Sequence, residues 1–415
     1  MLLNESGFLA RANAALGHRY FLPLITLASI LFRLCLQIAL RHSSGFADEL
    51  DYQAIGISLW KHSTYAVATG VTAYRPPAEP MMIALFYAVL GQHPFAVKVA
   101  ENLLLGALPL LCAMLGRSLG LSTQATNVGA LLAAFHPGLA YAATTFYPTV
   151  LTTVALTFGV VSSVRALQGK KTSLAICGGA GFALAGFATT TFVPVAVLVG
   201  IYCFWKRSFG IGLIIVILGT LPAPFWAARN HAALGGWTLA TNGGINLYLG
   251  ANDDATPRSG NWVSAPFHEG PDEVAEDRAY TATAKSWIAA HQARYAMLSV
   301  ERGFLILDSV GKPKTQGAHS GLGAHFIGWC LFPITFLGIV GLVIFRRTAA
   351  GCITIFALLL VIGSSALTIM KPRFRFPCDP LLGTFAVATV ASRLQSSRLS
   401  EQSLQSSDLH GQAVR

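Results

Sequence analysis

Long apolar runs, separated by short polar stretches, are the feature of this 415-residue sequence that most constrains its fold. A helix needs about 20 apolar residues to cross the hydrocarbon core of a bilayer. Runs near that length lie at 20–40, 99–116, 122–139, 149–166, 173–189, 192–205, 209–226, 323–345, 350–369 and 377–392. Charged residues make up only 11% of the chain, against about 25% in a soluble domain. The sequence therefore predicts an all-α integral membrane protein and excludes a soluble enzyme, a disordered chain and a disulfide-rich secreted module.

The apolar segment 78–90 decides the predicted topology. It has about 13 residues, which is short for a span and suits a juxtamembrane helix at the interface. If it does not cross, the basic residues of the short loops share one side with the N-terminus: Arg117, Arg165, Lys170, Lys171, Lys206, Arg207, Arg346, Arg347 and Arg393. Basic short loops mark the cytoplasm. We therefore expect ten spans, both termini inside, and the scattered positive charge to reflect membrane topology and not nucleic-acid binding.

Six regions follow from this topology. They are a cytoplasmic N-terminus with the first span (1–41), a first outer loop with juxtamembrane helices (42–98), a transmembrane core (99–226), a large outer loop (227–322), the C-terminal spans (323–392) and a disordered cytoplasmic tail (393–415). In the large loop, residues 236–262 are rich in turn signals and 272–307 show helical periodicity. The outer domain is thus predicted to be partly irregular and partly helical.

Three carboxylates stand just outside the first span, in the run Asp48-Glu49-Leu50-Asp51-Tyr52. Such crowding raises at least one pKa unless a cation lies among them, and a sheltered carboxylate can serve as a general base. On a helix, Asp48, Asp51 and Tyr52 share a face while Glu49 points away. The alternative interpretation is a helix start, with Asp48 as N-cap and the other acids complementing the helix dipole.

Two arginine-proline segments also lie outside. The first segment is Tyr74-Arg75-Pro76-Pro77-Ala78-Glu79-Pro80. Its prolines make the backbone rigid, so it can hold the guanidinium group of Arg75 for two-pronged phosphate contact. The second segment is Lys371-Pro372-Arg373-Phe374-Arg375-Phe376-Pro377. It places three cations on the outer side of the membrane, where short loops normally carry few, and a bound phosphate would explain them. For both segments the alternative is contact with lipid headgroups.

Arg33 lies inside the first span, where a cation is costly unless it is paired or hydrated. It either faces a polar cavity near the carboxylates or snorkels to the interface. We count it among the candidate phosphate-binding cations. The seven cysteines form no CxxC pair and the histidines are dispersed, so no metal site is predicted.

Five segments in order resemble the GT-C superfamily of membrane glycosyltransferases, in the protein O-mannosyltransferase and aminoarabinose transferase group (glycosyltransferase family 39 type). They are GFADELDYQAIGISLW, AYRPPAEPMMIALFYAVLG, HPGLAYAATTFYP, RNHAALGGWTLATNGGINLYLGAND and KPRFRFPCDPLL, and they cover about residues 20–392. The resemblance implies a GT-C fold with about ten transmembrane helices and an outer active site that takes a sugar from a polyprenyl phosphate in the bacterial inner membrane.

The resemblance also implies roles for particular residues. Asp48 would be the general base, supported by Glu49 and Asp51, and Arg75, Arg373 and Arg375 would hold the lipid phosphate. The sugar or acceptor would meet residues of the first outer loop and of the loop over the sugar: Tyr52, Tyr74, Glu79, Asn242, Asn246, Tyr248 and Asn252. The family often has an acid where this chain has Tyr147, before Pro148. We therefore predict no cofactor, while a divalent metal at the carboxylate cluster stays open.

The predicted chemistry is an inverting transfer. The base takes the proton of the acceptor hydroxyl, which attacks the anomeric carbon, while fixed guanidinium groups stabilise the departing phosphate at the periplasmic face. The acceptor is a lipid, a glycan or a protein. The alternatives are a lipid or solute transporter or flippase, a phosphotransferase or ligase of surface polymers, and a non-catalytic member of the fold. Transporters place charges near the midplane with repeat symmetry, and this sequence shows no repeat.

Overall fold

The structure is a computed structural model that describes residues 11, 13–41, 47–258, 272–308 and 322–395. Our predictions for residues 1–10, for 259–271 and 309–321 of the large outer loop, and for the tail from 396 lie outside the described residues. Within the described part the regular structure is almost entirely helical. The one sheet there is a hairpin of β1 (Ala66–Val67) and β2 (Gly70–Val71). The predicted all-α class is confirmed.

The helices of the first half follow the predicted runs and their breaks. They are α1 (Phe21–Ala39), α2 (Ala47–His62), α3 (Ala78–Leu90), α4 (Pro94–Leu105), α5 (Leu108–Ser118), α6 (Thr123–Ala134), α7 (Pro137–Ala142), α8 (Thr149–Gly169) and α9 (Thr172–Ala188). The 13-residue helix predicted at 78–90 is α3. Pro137 begins α7 directly after α6, which divides the run at 122–139 into two helices.

The second half continues with helices that alternate between apolar spans and the outer domain. They are α10 (Val195–Trp205), α11 (Phe209–Thr220), α12 (Pro222–Leu234), α13 (Gly243–Gly250), α14 (Glu273–Ala290), α15 (Gln292–Leu305), α16 (Leu322–Ile344), α17 (Ala349–Leu367) and α18 (379–395). The helices α14 and α15 confirm the periodicity predicted at 272–307. The segment 236–262, expected to be irregular, contains α13, an eight-residue helix.

Five helical segments are long and apolar enough to cross a membrane: Phe21–Ala39, Pro94–Ser118, Thr149–Gly169, Phe209–Leu234 and Ala349–Leu367. Shorter apolar helices lie at Thr172–Ala188, Thr190–Trp205 and Gly328–Ile344. Every predicted span thus falls on a helix, and the chain is a membrane protein. The number ten and the orientation of the spans stay predictions.

The core lies around α8. Inside its apolar window 83% of residues are buried, against 22% for α1, so α8 is the central helix and α1 is peripheral. Two glycines allow α9 to pack on α8 at backbone distance. A Cβ atom on Gly181 would lie 2.7 Å from the Gly159 nitrogen. A larger side chain at either position would separate the two helices.

The outer helices are tied to the first outer loop by one carboxylate. Glu273, at the start of α14, accepts hydrogen bonds from the Thr72 hydroxyl at 2.7 Å and the Ala73 amide at 2.8 Å, and it also contacts the Thr241 hydroxyl. The helix α13 packs closely on α14 at Gly244, whose amide donates to Asp277 at 2.6 Å. The two outer pieces of the sequence therefore form one cap over the ends of the membrane helices.

Candidate active site

A cavity of about 440 Å³ lies where several helix ends meet the outer cap. Its lining comes from the start of α2, the segments before α3 and α8, the α9–α10 turn, α13 and the end of α17. Segments far apart in sequence therefore supply one surface. Helix ends and loops can carry exposed polar groups here because they lie outside the apolar packing of the spans.

Asp48, Asp51 and Arg75 form one ionic cluster at this cavity. Arg75 donates from Nη2 to Asp48 Oδ1 at 2.9 Å, and from Nη2 and Nε to Asp51 Oδ2 at 2.7 and 3.1 Å. The guanidinium lies over the rings of Tyr52 and Tyr74, 5.2 and 4.8 Å from their centroids. The predicted common face of Asp48, Asp51 and Tyr52 is thus confirmed, and a cation lies among the carboxylates.

The other oxygen of Asp48 contacts two further groups. Asp48 Oδ2 accepts from the Tyr147 hydroxyl at 3.1 Å and from Arg373 Nη2 at 3.3 Å. Arg373 also stacks on the Tyr147 ring at 4.0 Å. Asp48 therefore joins the first outer loop, the start of α8 and the segment after α17, and its side chain keeps 40% of its surface exposed.

These contacts set the ionisation of Asp48. Burial alone raises the pKa of this carboxyl, but the charges of Arg75 and Arg373 and the hydrogen bonds from Arg75 and Tyr147 lower the pKa below its ordinary value. Burial raises the pKa of Tyr147, so the hydroxyl keeps its proton and acts as a donor. Asp48 is an ionised hydrogen-bond acceptor at neutral pH.

Glu49 lies outside the cavity. It is 5% exposed, its Oε2 accepts from the Phe146 amide at 3.0 Å, and Lys98 Nζ lies 4.0 Å from the same oxygen. The prediction that Glu49 points away from Asp48 is confirmed. Glu49 is a buried residue that links α2 to the segment before α8. The structure therefore does not place it with Asp48 and Asp51.

Two of the four candidate phosphate-binding cations also lie outside the cavity. Arg375 is 2% exposed and pairs with Asp379, with Nε–Oδ1 at 2.7 Å and Nη2–Oδ2 at 3.3 Å. Arg33 is 1% exposed and donates to Asn102 Oδ1 at 2.7 Å and the Ala134 carbonyl at 2.9 Å. Both groups are used in packing helices together. Arg75 and Arg373 line the cavity, as does Lys371.

The candidate sugar-binding residues divide in the same way. Tyr52, Tyr74, Asn242 and Asn246 line the cavity. Asn252 instead stabilises the turn after α13, since its amide donates to the Tyr248 carbonyl and its Oδ1 accepts from the Asp254 amide, both at 2.8 Å. The Tyr248 ring packs on Tyr280 at 5.5 Å.

Glu79, the remaining candidate, is fully buried in α3 beside the equally buried Glu101 of α4. Within the described residues, the carboxyl oxygens of Glu79 and Glu101 are buried and make no hydrogen bond. Burial raises the pKa of Glu79 to about 8, because the charged form would lose its hydration. Glu79 is therefore expected to keep its proton at neutral pH.

The buried proton predicts a pH-dependent stability. Since the folded-state pKa of Glu79 is raised, its contribution is present at low pH and is lost as the pH rises through that pKa. We expect the melting temperature of the purified protein to fall from about pH 4.5 to about pH 8, and to fall less in Glu79→Gln. The exposed-carboxylate variant Asp254→Asn is the control. Parallel pH curves for Glu79→Gln and wild type would contradict a protonated Glu79.

The hydroxyl groups of the cavity were not predicted from the sequence. Seven lining residues are threonine or serine: Thr149, Thr189, Thr190, Thr191, Ser364, Ser365 and Thr368. The available signal was the run of three threonines at 189–191 between two apolar spans. Lys371, which we had grouped with its neighbouring arginines, lines the cavity as well.

The carboxylate cluster does not fit a divalent metal. Hard cations need several oxygen ligands, and the oxygens of Asp48 and Asp51 face guanidinium and phenol donors. Glu49 turns away from them, and Tyr147 stands where the resemblance would place another acid. In the described part of the chain, three or more acidic, histidine or cysteine side chains nowhere group as a metal site. Independence from metal stays a prediction.

Comparison with known proteins bears on the fold. The apo oligosaccharyltransferase of Archaeoglobus fulgidus matches with a TM-score of 0.52 and 11% identity, over 93% of this chain and 52% of that one. AglB from that archaeon, with an inhibitory peptide and a dolichol-phosphate, matches with a TM-score of 0.46 and 12% identity, over 91% of this chain and 52% of that one. ArnT from Cupriavidus metallidurans bound to undecaprenyl phosphate matches with a TM-score of 0.45 and 13% identity, over 93% of this chain and 80% of that one. No protein-family model and no curated protein matches the sequence.

Helical spans under an outer cap, with an ionic cavity between them, define a polytopic membrane protein whose polar site lies at the ends of its spans. The likeness to the archaeal oligosaccharyltransferase shows the fold, which is of the GT-C type expected from the sequence. This chain spans about half the length of the archaeal proteins it matches.

Proposed function

We propose that this protein is an inverting glycosyltransferase that moves a sugar from a polyprenyl phosphate to an acceptor at the outer face of the membrane. The observation that carries the proposal is that one cavity joins the ionised Asp48 to the cations Arg75, Lys371 and Arg373. Such a transfer needs a base for the acceptor hydroxyl and cations for the leaving phosphate within one site. The GT-C fold supports this function.

The arginines have hydrogen-bonding capacity left for a phosphate. Arg75 uses Nε and Nη2 on the two aspartates, and its Nη1 has no partner among the described residues. Arg373 reaches Asp48 through Nη2. Planar guanidinium groups suit two-pronged phosphate contact, and stacking on Tyr147 holds the Arg373 plane in place. We assign the lipid phosphate to Arg75, Arg373 and Lys371, and we no longer include Arg375 or Arg33.

The mechanism transfers one proton and one glycosyl group. The acceptor oxygen forms a bond to the anomeric carbon from the face opposite the phosphate, and its proton passes to Asp48. The bond between carbon and phosphate oxygen breaks, and the electron pair leaves with the polyprenyl phosphate. Charge grows on that phosphate, so the fixed cations stabilise the transition state more than the ground state.

A vesicle assay tests the proposal. Purified protein in liposomes receives a polyprenyl phosphate carrying a radiolabelled sugar, together with a membrane extract that contains acceptors. We expect labelled product and free polyprenyl phosphate, both dependent on the protein. Movement of intact donor across the bilayer would favour a flippase. Transfer of the sugar together with its phosphate, with release of free polyprenol, would favour a phosphotransferase.

The role of Arg373 gives a sharper prediction. Arg373→Lys keeps the charge and loses the planar fork, so we expect transfer to fall by about 10-fold or more with the melting temperature nearly unchanged. Arg294→Lys is the matched control, because Arg294 lies on the outer cap and donates to the Asp253 carbonyl away from the cavity. Full activity of Arg373→Lys would show that only diffuse positive charge matters at this position.

A further inference from the structure

The polar lining of the cavity divides into a charged part and an uncharged part. Among the described lining residues, the charged ones are Asp48, Arg75, Lys371 and Arg373. The uncharged part includes a group of side-chain hydroxyls that we call the hydroxyl wall, made of Thr189, Thr190, Thr191, Ser364, Ser365 and Thr368. Two amides, of Asn242 and Asn246, accompany it. So many neutral hydrogen-bonding groups in one membrane-protein cavity require an explanation.

The hydroxyl wall is built from two helix ends. Thr189 to Thr191 belong to the turn between α9 and α10, and the other three belong to the last turn of α17. The two ends are joined by Thr191 and Ser364, whose hydroxyl oxygens lie 3.4 Å apart, and Thr189 is held by Thr152 at 2.8 Å. The wall is therefore anchored in the helical core, and its geometry is fixed before a ligand arrives.

Several groups at this wall lack a protein partner. Ser365 is 1% exposed, and its hydroxyl makes no hydrogen bond within the described residues. In the same part of the chain, no protein hydrogen bond involves the hydroxyl of Thr190 or the side-chain amides of Asn242 and Asn246, all of which line the cavity. Polar groups at a largely buried surface lose free energy when they remain unpaired. A ligand rich in groups that both donate and accept would satisfy them.

The charges limit which ligand that is. Asp48 is the one carboxylate among the described lining residues, and Arg75, Arg373 and Tyr147 already contact it. An ammonium group on a bound sugar would find no free carboxylate. A carboxylate on the sugar would compete with the lipid phosphate for the same three cations. Hydroxyl groups match the wall without either cost, because serine, threonine and asparagine side chains donate and accept.

We propose that the donor's sugar is uncharged, a neutral hexose or pentose without an amino or carboxyl group, and that Thr190 and Asn246 help to select it. This inference rests on the proposed function, because it assigns the sugar that the polyprenyl phosphate carries. The cations hold the phosphate, and the hydroxyl wall with its two asparagines contacts the ring hydroxyls. Selection follows because a charged substituent would be desolvated without a partner.

Binding of matched lipids tests this assignment without knowledge of the acceptor. The full-length protein in nanodiscs is titrated with four lipids of one chain length: bare polyprenyl phosphate, and the same lipid carrying a neutral hexose, an amino sugar or a uronic acid. We expect the neutral glycolipid to bind about 10-fold more tightly than either charged one, the worth of roughly one well-placed contact. Equal binding, or tighter binding of a charged glycolipid, would overturn the inference.

Variants locate the selection in the wall. Thr190→Val keeps the side-chain shape, and we expect it to weaken binding of the neutral glycolipid while leaving bare polyprenyl phosphate unchanged. Asn246→Asp should improve binding of the amino-sugar lipid. Thr157→Val is the matched control, a buried threonine of α8 outside the cavity lining. No change in either test variant would contradict the assigned residues.

The same experiment separates failure of the two proposals. If bare polyprenyl phosphate does not bind, or binds equally well to Arg373→Ala, the phosphate site and the proposed function are wrong. If it binds and depends on Arg373, but the sugar makes no difference, only the assignment of a neutral sugar is wrong.

Discussion

Asp48→Asn is expected to reduce sugar transfer by about 10²-fold or more while the protein still folds and inserts. Asn keeps the size of the side chain and one oxygen that can accept from Arg75 or Tyr147, so the cavity keeps its shape. It cannot take a proton from an acceptor hydroxyl. The structure places Asp48 in the first turn of α2 and not at its N-cap. If Asp48 only complements the helix dipole there, Asn replaces it with little loss, because such a contribution is worth about 0.3–1 kcal/mol.

The measurement is initial transfer rate in vesicles, normalised to protein inserted, with melting temperature as the folding check. Asp254→Asn, an exposed aspartate on the outer cap, is the matched control. Asp51→Asn adds information, since Asp51 contacts Arg75 and positions it. We expect a smaller loss there than at Asp48. Near-normal transfer by Asp48→Asn would place the base elsewhere.

The pH profile provides a second observable. Because the pKa of Asp48 is lowered, the carboxylate stays ionised until the pH falls below the usual range of aspartate. We therefore expect protonation of Asp48 to lower kcat/KM only below about pH 4. Tyr147→Phe removes one hydrogen bond to Asp48 and should move this acidic limb to higher pH. An unmoved limb would mean that another group controls it.

The carboxylate cluster was predictable from sequence because its information is local. Helical spacing places Asp48 and Asp51 on one face and Glu49 on another, and the structure has them so. The helix at 78–90 and the outer helices were predictable for the same reason, since apolar periodicity and chain length decide them.

The arginines after α17 were not predictable in this way. Arg373 and Arg375 are two residues apart in a short basic run, and composition treats them alike. Two consecutive 3₁₀ turns, Pro372–Phe374 and Phe376–Cys378, direct one to the cavity and the other to the core. One signal was available, because Asp379 stands four residues after Arg375 at the spacing of a helical ion pair. The second partner of Asp379 is His136, which is 243 residues away in sequence. Only tertiary packing brings these two residues together.

The hydroxyl wall shows a similar limit. Threonines and serines inside apolar runs usually bond to the preceding turn of their own helix, as Thr368 does to the Ser364 carbonyl at 2.7 Å. Nothing local distinguishes such a residue from one that faces a cavity. The difference depends on tertiary packing, which brings the turn between α9 and α10 against the end of α17.

Arg375→Gln is expected to destabilise the protein by about 3–5 kcal/mol, the usual cost of removing one partner of a buried ion pair. The variant leaves the Asp379 carboxylate buried without its guanidinium partner, with His136 Nε2 still 3.1 Å away. Arg373→Gln is the matched comparison, because Arg373 is partly exposed at the cavity and should lose transfer with little change in stability.

Thermal or denaturant unfolding of the purified protein measures the difference. A double variant, Arg375→Gln with Asp379→Asn, removes both charges, and we expect it to recover part of the stability that Arg375→Gln loses. That recovery distinguishes the two roles of Arg375. If Arg375 pairs with Asp379, removing both charges restores stability. If Arg375 binds the lipid phosphate, changing Asp379 does not replace the missing guanidinium group. If Arg375→Gln instead keeps its melting temperature and loses transfer as Arg373→Gln does, Arg375 acts on the lipid phosphate after all. The buried Arg375–Asp379 geometry predicts the first outcome, because both side chains are at most 5% exposed and their charges face each other.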